Sequence, residues 1–318
     1  MPSEFEIIER FFTLPAPGAV LGVGDDAALV RAGAGMDLAV ATDVLVAGRH
    51  FPRDTDPARL GHKALAVNLS DLAAMGAQPR WALLALALPE ADETWLAAFA
   101  RGFAALAREH GVDLVGGDTT HGPLNISVTV MGEVPDGAAL RRDGAKAGDD
   151  VWVSGTLGDA ALALANLQQQ VRLAPQEAAE ALPRLETPTP RIALGIALRG
   201  IAHSAIDVSD GLAADLGHIL KRSGVAATIE LARLPLSDAL RARLADERAA
   251  GWILGGGDDY ELCFTAPAGV REVIEDLGRD VGVPVTRVGR IDAGAGLTVL
   301  DGDGRPFRLS KAGFDHFG

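Results

Sequence analysis

The stretch Asn68-Leu69-Ser70-Asp71-Leu72-Ala73-Ala74-Met75-Gly76 places a carboxylate inside an otherwise apolar segment. The segment begins at Asp56-Pro57, a helix cap followed by proline at the first helical position, and ends at Gly76. At about 100° per residue its apolar side chains fall on both faces, so we expect a helix that is covered on both sides. An ionised Asp71 there requires a cation or several hydrogen-bond donors nearby, because an unpaired buried charge is very costly.

Length and composition predict a globular protein of two domains. The chain has 318 residues, of which 48% are hydrophobic and 23% are charged. Its apolar runs, such as Trp81 to Leu88, fall short of the roughly 20 residues that a membrane span needs. The start Met-Pro-Ser-Glu-Phe-Glu lacks the basic and apolar regions of a secretion signal. We therefore expect a cytoplasmic protein without a membrane partner.

Charge and cysteine usage argue against a nucleic-acid-binding protein and against a disulfide-linked or cysteine-based metal protein. The net charge of -14 argues against a nucleic-acid partner, since binding to the phosphate backbone requires clustered lysine and arginine. Cys263 is the single cysteine, which excludes an intramolecular disulfide and any multi-cysteine metal site. It lies in an apolar run and is interpreted as a core residue. A metal ion would therefore have to bind through oxygen or imidazole.

The order of apolar segments predicts two domains of the α/β (α+β) fold class. The predicted strands of the first half are Leu38 to Ala41, Trp81 to Leu88, Val112 to Val115 and Asn125 to Val134, with a helix from Asp92 to His110. A glycine- and charge-rich segment from Gly144 to Asp150 precedes the strand that begins with Val151-Trp152-Val153. We place the boundary there, which gives domains 1–149 and 150–318.

Six places combine an acid with Gly, Ser or Thr at the edge of an apolar segment. They are Asp25-Asp26, Thr42-Asp43, Ser70-Asp71, Gly117-Asp118-Thr119, Asp207-Val208-Ser209-Asp210 and Gly257-Asp258-Asp259. Any one of them alone is more often a turn or a helix cap. Together they favour a cluster of oxygen ligands for hard divalent cations such as Mg²⁺, which commonly bridges carboxylates to substrate phosphates. An acidic protein could bind an anionic substrate in this way.

Several catalytic motifs are absent from the sequence. Neither a P-loop nor a dinucleotide-binding fingerprint occurs, and there is no Gly-x-Ser-x-Gly nucleophile motif. His50 and His121 lie in segments close to acids, and on this basis alone each could be either structural or functional.

At this point the motifs match a known family. They are Gly22-Val23-Gly24-Asp25-Asp26-Ala27, Ala41-Thr42-Asp43, His50-Phe51, the segment Lys63 to Gly76, Gly116-Gly117-Asp118-Thr119-Thr120, Ile206 to Leu212, Asp259-Tyr260-Glu261-Leu262 and the end Gly313 to Phe317. In this order they closely resemble the thiamine-monophosphate kinases. That family lies within the superfamily of ATP-binding enzymes related to aminoimidazole ribonucleotide synthetase. The resemblance covers essentially the whole chain.

The resemblance implies ATP-dependent phosphorylation of thiamine monophosphate to thiamine diphosphate, with several Mg²⁺ ions. It also implies a homodimer, in which the N-terminal mixed-sheet domains form a shared β-barrel, and a C-terminal α/β domain that completes the active site. By motif match, the metal ligands would be Asp26, Thr42, Asp43, Asp71, Asp118, Asp207 and Asp210, of which Asp71, Asp118 and Asp207 would act in catalysis through metal. The nucleotide would be bordered by Gly117, Asp118, Arg142 and Ser209, and the second substrate by His50, Asp258 and Phe314.

Two positions depart from the family pattern. Asp258 stands where glutamate is usual, and Phe314 stands where tyrosine or tryptophan is expected. The alternatives are another kinase or synthetase of the superfamily, such as a selenophosphate-forming or purine-synthesis enzyme, and a non-catalytic nucleotide-binding or sensory protein. The presence of every expected metal acid disfavours the non-catalytic alternative.

Overall fold

The structure is a computed structural model that describes residues 3–24, 26–307 and 313. It divides into two compact units, and the division falls ahead of the predicted boundary at 149/150. Unit 1 comprises Met1–Leu72 and Ala77–Gly137, and unit 2 comprises Ala73–Gly76 and Ala138–Gly318. Phe314, one of the predicted substrate contacts, lies outside the described residues.

Unit 1 contains a four-stranded mixed sheet with strand order β1-β4-β2-β3. Its elements in chain order are α1 (Glu4–Ile7), which continues as a π-helical turn (Ile8–Phe12), β1 (Met36–Val46), α2 (Pro57–Ala74), β2 (Gln78–Leu88), α3 (Glu93–His110), β3 (Asp113–His121) and β4 (Asn125–Pro135). Strand β2 pairs parallel with β3 and antiparallel with β4, and β1 pairs antiparallel with β4.

The long helices of unit 1 follow the sequence signals. Helix α2 begins at Pro57, as the cap and proline predict, and Leu65, Leu69 and Leu72 are all buried in it. Helix α3 begins after Asp92, whose carboxylate accepts the backbone N–H groups of Thr94 and Trp95, and it ends at a left-handed Gly111.

Strands β1 and β3 of unit 1 continue past the ends predicted for them. Strand β1 continues to Val46, so that Thr42 and Asp43 lie within it, and β3 contains Gly116–Thr120 instead of ending before them. Both are edge strands of the sheet, and β1 pairs with β4 residue by residue over its whole length. The partner strand, and not the last apolar residue, therefore determines where β1 ends.

One face of this sheet exposes a row of apolar side chains on β1. Leu38, Val40, Val44 and Val46 are 42%, 59%, 46% and 37% exposed, respectively. They alternate with side chains of the opposite face, where Leu45 is buried. On β1, the sheet of unit 1 thus presents apolar side chains to solvent on one of its faces.

Unit 2 contains a seven-stranded mixed sheet with strand order β11-β10-β7-β9-β5-β8-β6. Its elements are β5 (Asp149–Ser154), α4 (Asp159–Leu167), α5 (Pro175–Glu186), α6 (Ile192–Ala197), β6 (Ser204–Val208), α7 (Leu212–Ser223), β7 (Ala226–Glu230), α8 (Asp238–Arg241), α9 (Ala249–Gly255), β8 (Glu261–Pro267), α10 (Arg271–Asp280), β9 (Val285–Asp292), β10 (Gly296–Leu300) and β11 (Pro306–Phe307). The predicted strand Val151-Trp152-Val153 lies within β5.

Strands β5, β8 and β6 contribute buried apolar residues to the core of unit 2, among them Val151, Cys263 and Ile206. Trp152 and Phe264 are fully buried neighbours on β5 and β8, and their rings stack with centroids 6.3 Å apart. Cys263 is buried in β8, as expected for a core residue, and burial raises the pKa of its thiol. The mixed α/β character predicted from the sequence is confirmed in both units.

In the part of the chain that the structure describes, no helix is both long and apolar enough to cross a membrane.

Candidate active site

In unit 1, Asn68 links the helix that carries Asp71 to the strand that carries Asp43. Its amide oxygen accepts the backbone N–H of Asp43 at 2.9 Å, and its amide nitrogen donates to the carbonyl of Ala64 at 3.0 Å. Asn68 is 1% exposed, so both bonds are shielded from water. Asn68 therefore fixes β1 against α2, a role that the sequence pattern alone did not reveal.

Thr42 and Asp43 point to opposite faces of the sheet. Asp43 alternates with exposed Val44 and shares its face with buried Leu45. The Thr42 hydroxyl donates to the carbonyl of Val128 and accepts from the hydroxyl of Thr129, both at 3.0 Å. The predicted ligand Thr42 thus uses its side chain within the sheet.

Gly117 and Asp118 lie on β3, at the edge of the sheet opposite to β1. A side chain at residue 117 would meet the Leu84 carbonyl oxygen at 1.8 Å, and its φ of +154° also favours glycine. Asp118 is exposed and pairs with Ala85 in the register of β2 and β3. Glycine at 117 is therefore required by close backbone packing, whatever ligand it borders.

The ring of His50 is oriented by the end of β1. Its Nδ1 accepts the backbone N–H of Val46 at 2.9 Å. In a neutral ring this bond assigns the proton to Nε2. Asp26 lies in the exposed loop between Leu21 and Leu29, which pair with each other as an isolated bridge.

In unit 2, the predicted ligands Asp207 and Asp210 flank the end of β6. Asp207 is 4% exposed near the end of the strand, and Ser209 and Asp210 are half-buried in the loop that precedes α7. This loop is closed by Asp215, which the sequence analysis did not single out. The available signal was an acid four residues beyond the Ser-Asp-Gly loop, in the first turns of the helix.

Asp215 is buried and accepts three backbone hydrogen bonds on one oxygen. Its Oδ2 lies 3.1 Å from the nitrogen of Ser209 and 3.0 Å from the nitrogens of Asp210 and Gly211. The pKa of Asp215 is raised to about 7, mainly by burial and then by the nearby charges of Asp207 and Asp210, which together outweigh the lowering effect of the backbone hydrogen bonds. Negative charge is thus concentrated here, which favours a cation.

The loop that carries Asp258 lies directly against the loop after β6. Asp258 N–H donates to the Ser209 carbonyl at 2.9 Å, and Tyr260 N–H donates to the Val208 carbonyl at 2.8 Å. Both residues have a left-handed backbone, with φ of +68° and +49°, which is rare for residues other than glycine. The phenol of Tyr260 donates to the Asp258 carboxylate at 2.9 Å. The predicted substrate contact is therefore held in one orientation, next to Ser209.

The two acids that follow Asp258 in the same motif have structural partners. Asp259 accepts the Gly158 N–H at 3.0 and 2.9 Å, and burial raises the pKa of its carboxyl well above the usual range. Glu261 is fully buried and pairs with Arg184 and with Arg191, the latter at 2.5 and 2.6 Å. Both acids anchor the segment instead of facing a ligand.

Within unit 2, the backbone of Arg142 lies near the start of β6, whereas Ser209 follows its end. The Arg142 carbonyl accepts the Ser223 hydroxyl at 2.9 Å, and the preceding carbonyl, that of Arg141, accepts the N–H of Ala205 near the start of β6. Ser209 follows the other end of this five-residue strand. Ala205 and Ser209 are four residues apart, so at ~3.3 Å per residue the two backbone segments are separated by about 13 Å, a distance that an extended nucleotide could cover.

The predicted metal ligands are divided between the units. Unit 1 holds Asp26, Thr42, Asp43, Asp71 and Asp118, and unit 2 holds Asp207 and Asp210. Among residues 3–24, 26–307 and 313, no three His, Cys, Asp or Glu side chains gather as a ready metal site. The candidate donors are oxygen atoms, which suit Mg²⁺, and the crowding of Asp207, Asp210 and Asp215 is consistent with a cation nearby.

Sequence and structural comparisons identify the family. Residues 24–134 match the N-terminal domain of AIR synthase related proteins, and residues 146–302 match their C-terminal domain. Thiamine-monophosphate kinase of Escherichia coli (strain K12) is 48% identical, over 99% of this chain and 98% of that protein. The chain belongs to the thiamine-monophosphate kinase family. The resemblance inferred from the motifs is thereby confirmed.

Solved structures of thiamine-monophosphate kinases share the fold. The enzyme of Stenotrophomonas maltophilia K279a matches with a TM-score of 0.85 and 52% identity, over 92% of this chain and 93% of that one. AaThiL complexed with AMPPCP and TMP matches with a TM-score of 0.79 and 33% identity, over 90% of this chain and 89% of that one. The kinship therefore extends over both units.

Proposed function

We propose that this protein transfers the γ-phosphoryl group of ATP to thiamine monophosphate and so forms thiamine diphosphate. The observation that carries the proposal is full-length kinship, at 48% identity, to thiamine-monophosphate kinase of Escherichia coli. It is supported by the similarity to AaThiL, whose complex contains AMPPCP, an analogue of ATP, together with TMP. A cytoplasmic location remains a prediction from the sequence.

We assign the site residues to three groups. The metal group is Asp26, Thr42, Asp43, Asp71, Asp118, Asp207 and Asp210; the nucleotide group is Gly117, Asp118, Arg142 and Ser209; and the substrate group is His50, Asp258 and Phe314. Bound Mg²⁺ would neutralise charge between the two anionic substrates. The oxygen-only donor set fits this ion, and Asn68 fixes the backbone of Asp43 by accepting its N–H.

The chain's own residues supply positioning rather than a strong base. The attacking atom is a phosphate oxygen of thiamine monophosphate, which is ionised at neutral pH and needs no deprotonation. Phosphoryl transfer depends on in-line placement and on neutralising charge, and Arg142 would contribute a fixed positive charge. His50, whose ring is oriented by the N–H of Val46, would border the thiamine monophosphate. We expect direct transfer without a phosphoenzyme, hence inversion at a chiral γ-phosphate, and net retention would refute it.

A homodimer is part of the proposal, and the positions of Asp43 and Asp118 support it. The two acids lie on opposite edge strands of one four-stranded sheet. Three strand spacings of ~4.8 Å separate them by about 14 Å, too far for both to bind one ion within a single copy. A second copy, joined edge to edge so that two sheets form a barrel, would bring Asp43 of one copy to Asp118 of the other. It would also cover the apolar face of β1.

Asp71→Asn tests the assignment of the site. The purified protein is incubated with ATP, Mg²⁺ and thiamine monophosphate, and thiamine diphosphate is measured. The wild type should form the product and Asp71→Asn should not, because the amide keeps the shape but removes the charge that binds metal. The variant should unfold at a temperature no lower than the wild type. Product formation by Asp71→Asn at the wild-type rate would contradict the assignment.

A further inference from the structure

The loop between β6 and α7 has the form of an anion-binding site. The N–H groups of Ser209, Asp210 and Gly211 are consecutive and converge on a single point before a helix of twelve residues. Such a concave group of amides, at a helix N-terminus, commonly binds phosphate. In this protein the point of convergence is occupied by the chain's own Asp215 carboxylate.

This arrangement determines what the loop can offer to a ligand. All three amides are directed inward to a side chain that is 3% exposed. The groups of this loop that remain for a ligand are the side chains of Ser209 and Asp210, both half-buried. The loop therefore presents a hydroxyl and a carboxylate, which suit a hydrated cation, and it withholds the amides that would attract a bare phosphate.

Asp215 also acts beyond its own loop. The Ser209 backbone is held on its nitrogen by Asp215 and on its carbonyl oxygen by the N–H of Asp258, at 3.1 and 2.9 Å. A change in the loop would therefore be transmitted to Asp258, whose carboxylate is itself fixed by the Tyr260 phenol. One buried side chain thus supports residues assigned to metal, nucleotide and second substrate.

We propose that Asp215 is a positioning residue of the transfer reaction, which shapes the Ser209–Gly211 loop for metal-mediated phosphate binding. The inference rests on the proposed function. What matters is an acceptor oxygen at the point where the three amides converge. An asparagine oxygen can occupy that point, whereas alanine leaves the three N–H groups without an acceptor and the loop without its closure.

The experiment compares Asp215→Asn and Asp215→Ala with the control Asp150→Asn. Asp150 is an equally buried carboxylate at the other end of the sheet, paired with Arg271. The readouts are kcat, the KM of both substrates and the Mg²⁺ concentration that gives half-maximal rate. Asp215→Ala should raise that concentration and the KM of thiamine monophosphate by roughly tenfold each, and Asp215→Asn should stay within about threefold of wild type. Asp150→Asn should lower the unfolding temperature without changing either value.

Two kinetic results would overturn the proposal. One is an Asp215→Ala enzyme whose Mg²⁺ requirement matches that of Asp150→Asn, because Asp215 would then act on stability alone. The other is an Asp215→Asn enzyme as impaired as Asp215→Ala, because an acceptor oxygen would then not suffice.

A second measurement uses the wild type, so that it does not depend on the folding of a variant. Hydrogen exchange should show slow exchange for the amides of residues 209–211, with or without Mg²⁺ and ATP. Fast exchange in both conditions would overturn the proposal. Since this measurement needs no turnover, it separates a failure of this inference from a failure of the proposed activity, which would appear as wild-type protein that makes no thiamine diphosphate.

Discussion

Gly257→Ala should disable the active site while leaving the protein folded. A methyl group at residue 257 would lie 2.4 Å from the carbonyl oxygen of Ser209. Carbon and oxygen atoms that are not bonded approach to about 3.3 Å, so the two loops must separate by roughly 0.9 Å. The carbonyl concerned is the acceptor for the Asp258 N–H, so the separation acts directly on the predicted substrate contact.

The expected losses of rate and of stability follow from that displacement. A misplacement of about 1 Å in a site that works by positioning costs on the order of a hundredfold in rate. Overpacking of this kind costs about 1–3 kcal/mol of stability, which is less than the roughly 5–15 kcal/mol that holds a domain folded. Activity should therefore fall much further than stability.

Gly251→Ala provides the matched control. Gly251 lies in α9, and no heavy atom beyond its own neighbourhood comes within 4 Å of the position of an added Cβ. Because alanine favours a helix over glycine, this variant should gain about 0.5–1 kcal/mol and keep its kcat. The same methyl group, added at residue 251 instead of residue 257, should thus stabilise the protein and leave its activity unchanged.

The assay is thiamine diphosphate formation with both substrates varied, alongside urea unfolding of each variant. The expected result is a roughly hundredfold loss of kcat/KM for Gly257→Ala and an unchanged value for Gly251→Ala. A Gly257→Ala enzyme that kept at least half of the wild-type kcat/KM would show that the close approach of the two loops does not control the site. A Gly251→Ala enzyme that lost as much activity as Gly257→Ala would show the same.

Three further predictions concern charge and assembly. Glu261→Gln should lower the free energy of unfolding by about 3–5 kcal/mol in urea titrations, because two half-buried arginines lose the fully buried carboxylate that pairs with both of them. A loss below 1 kcal/mol would contradict this. Val44→Asp should give a monomer in light scattering where the exposed helix variant Val273→Asp gives a dimer, and a Val44→Asp dimer would disprove the role of the β1 face. Glu177→Gln should lower the free energy of unfolding by about 1 kcal/mol at pH 7. Because hydrogen bonds from Arg243 lower the pKa of Glu177 to about 2, this difference from wild type should vanish as the pH falls from 4.5 to about 2. A difference that does not depend on pH would argue against the ion pair.

The sequence predicted the helices of unit 1 better than its strands. Helix α2 carries its own start signal at Asp56-Pro57, and α3 carries a cap at Asp92 and a stop at Gly111. Such signals are local, so a single sequence contains them. The extent of β1 depends instead on the length of β4, its partner about 90 residues further along the chain. The residues around Thr42 and Asp43 therefore carry no local sequence signal that the strand continues.

The candidate site was predictable in its residue types but not in its supports. Adjacent acids look alike in sequence, yet Asp258 is held beside Ser209 while Asp259 is buried on the N–H of Gly158. The supporting roles of Asn68 and Asp215 depend on hydrogen bonds to backbone groups that only the folded chain brings within reach. Composition and spacing therefore indicated the chemistry of the site. The tertiary structure determines which side chains hold the site residues in place.

The left-handed backbone of Asp258 bears on the choice between aspartate and glutamate at this position. With φ at +68°, the residue adopts a conformation that aspartate tolerates better than most side chains, because its short polar group can bond locally. Glutamate, which the family pattern predicts at this position, is longer by one methylene and would reach further toward a ligand. It is, however, less favourable than aspartate in a left-handed backbone conformation. Aspartate at residue 258 thus has a shorter reach but less backbone strain. Asp258→Glu is therefore a natural first variant for changing which thiamine analogues the enzyme accepts.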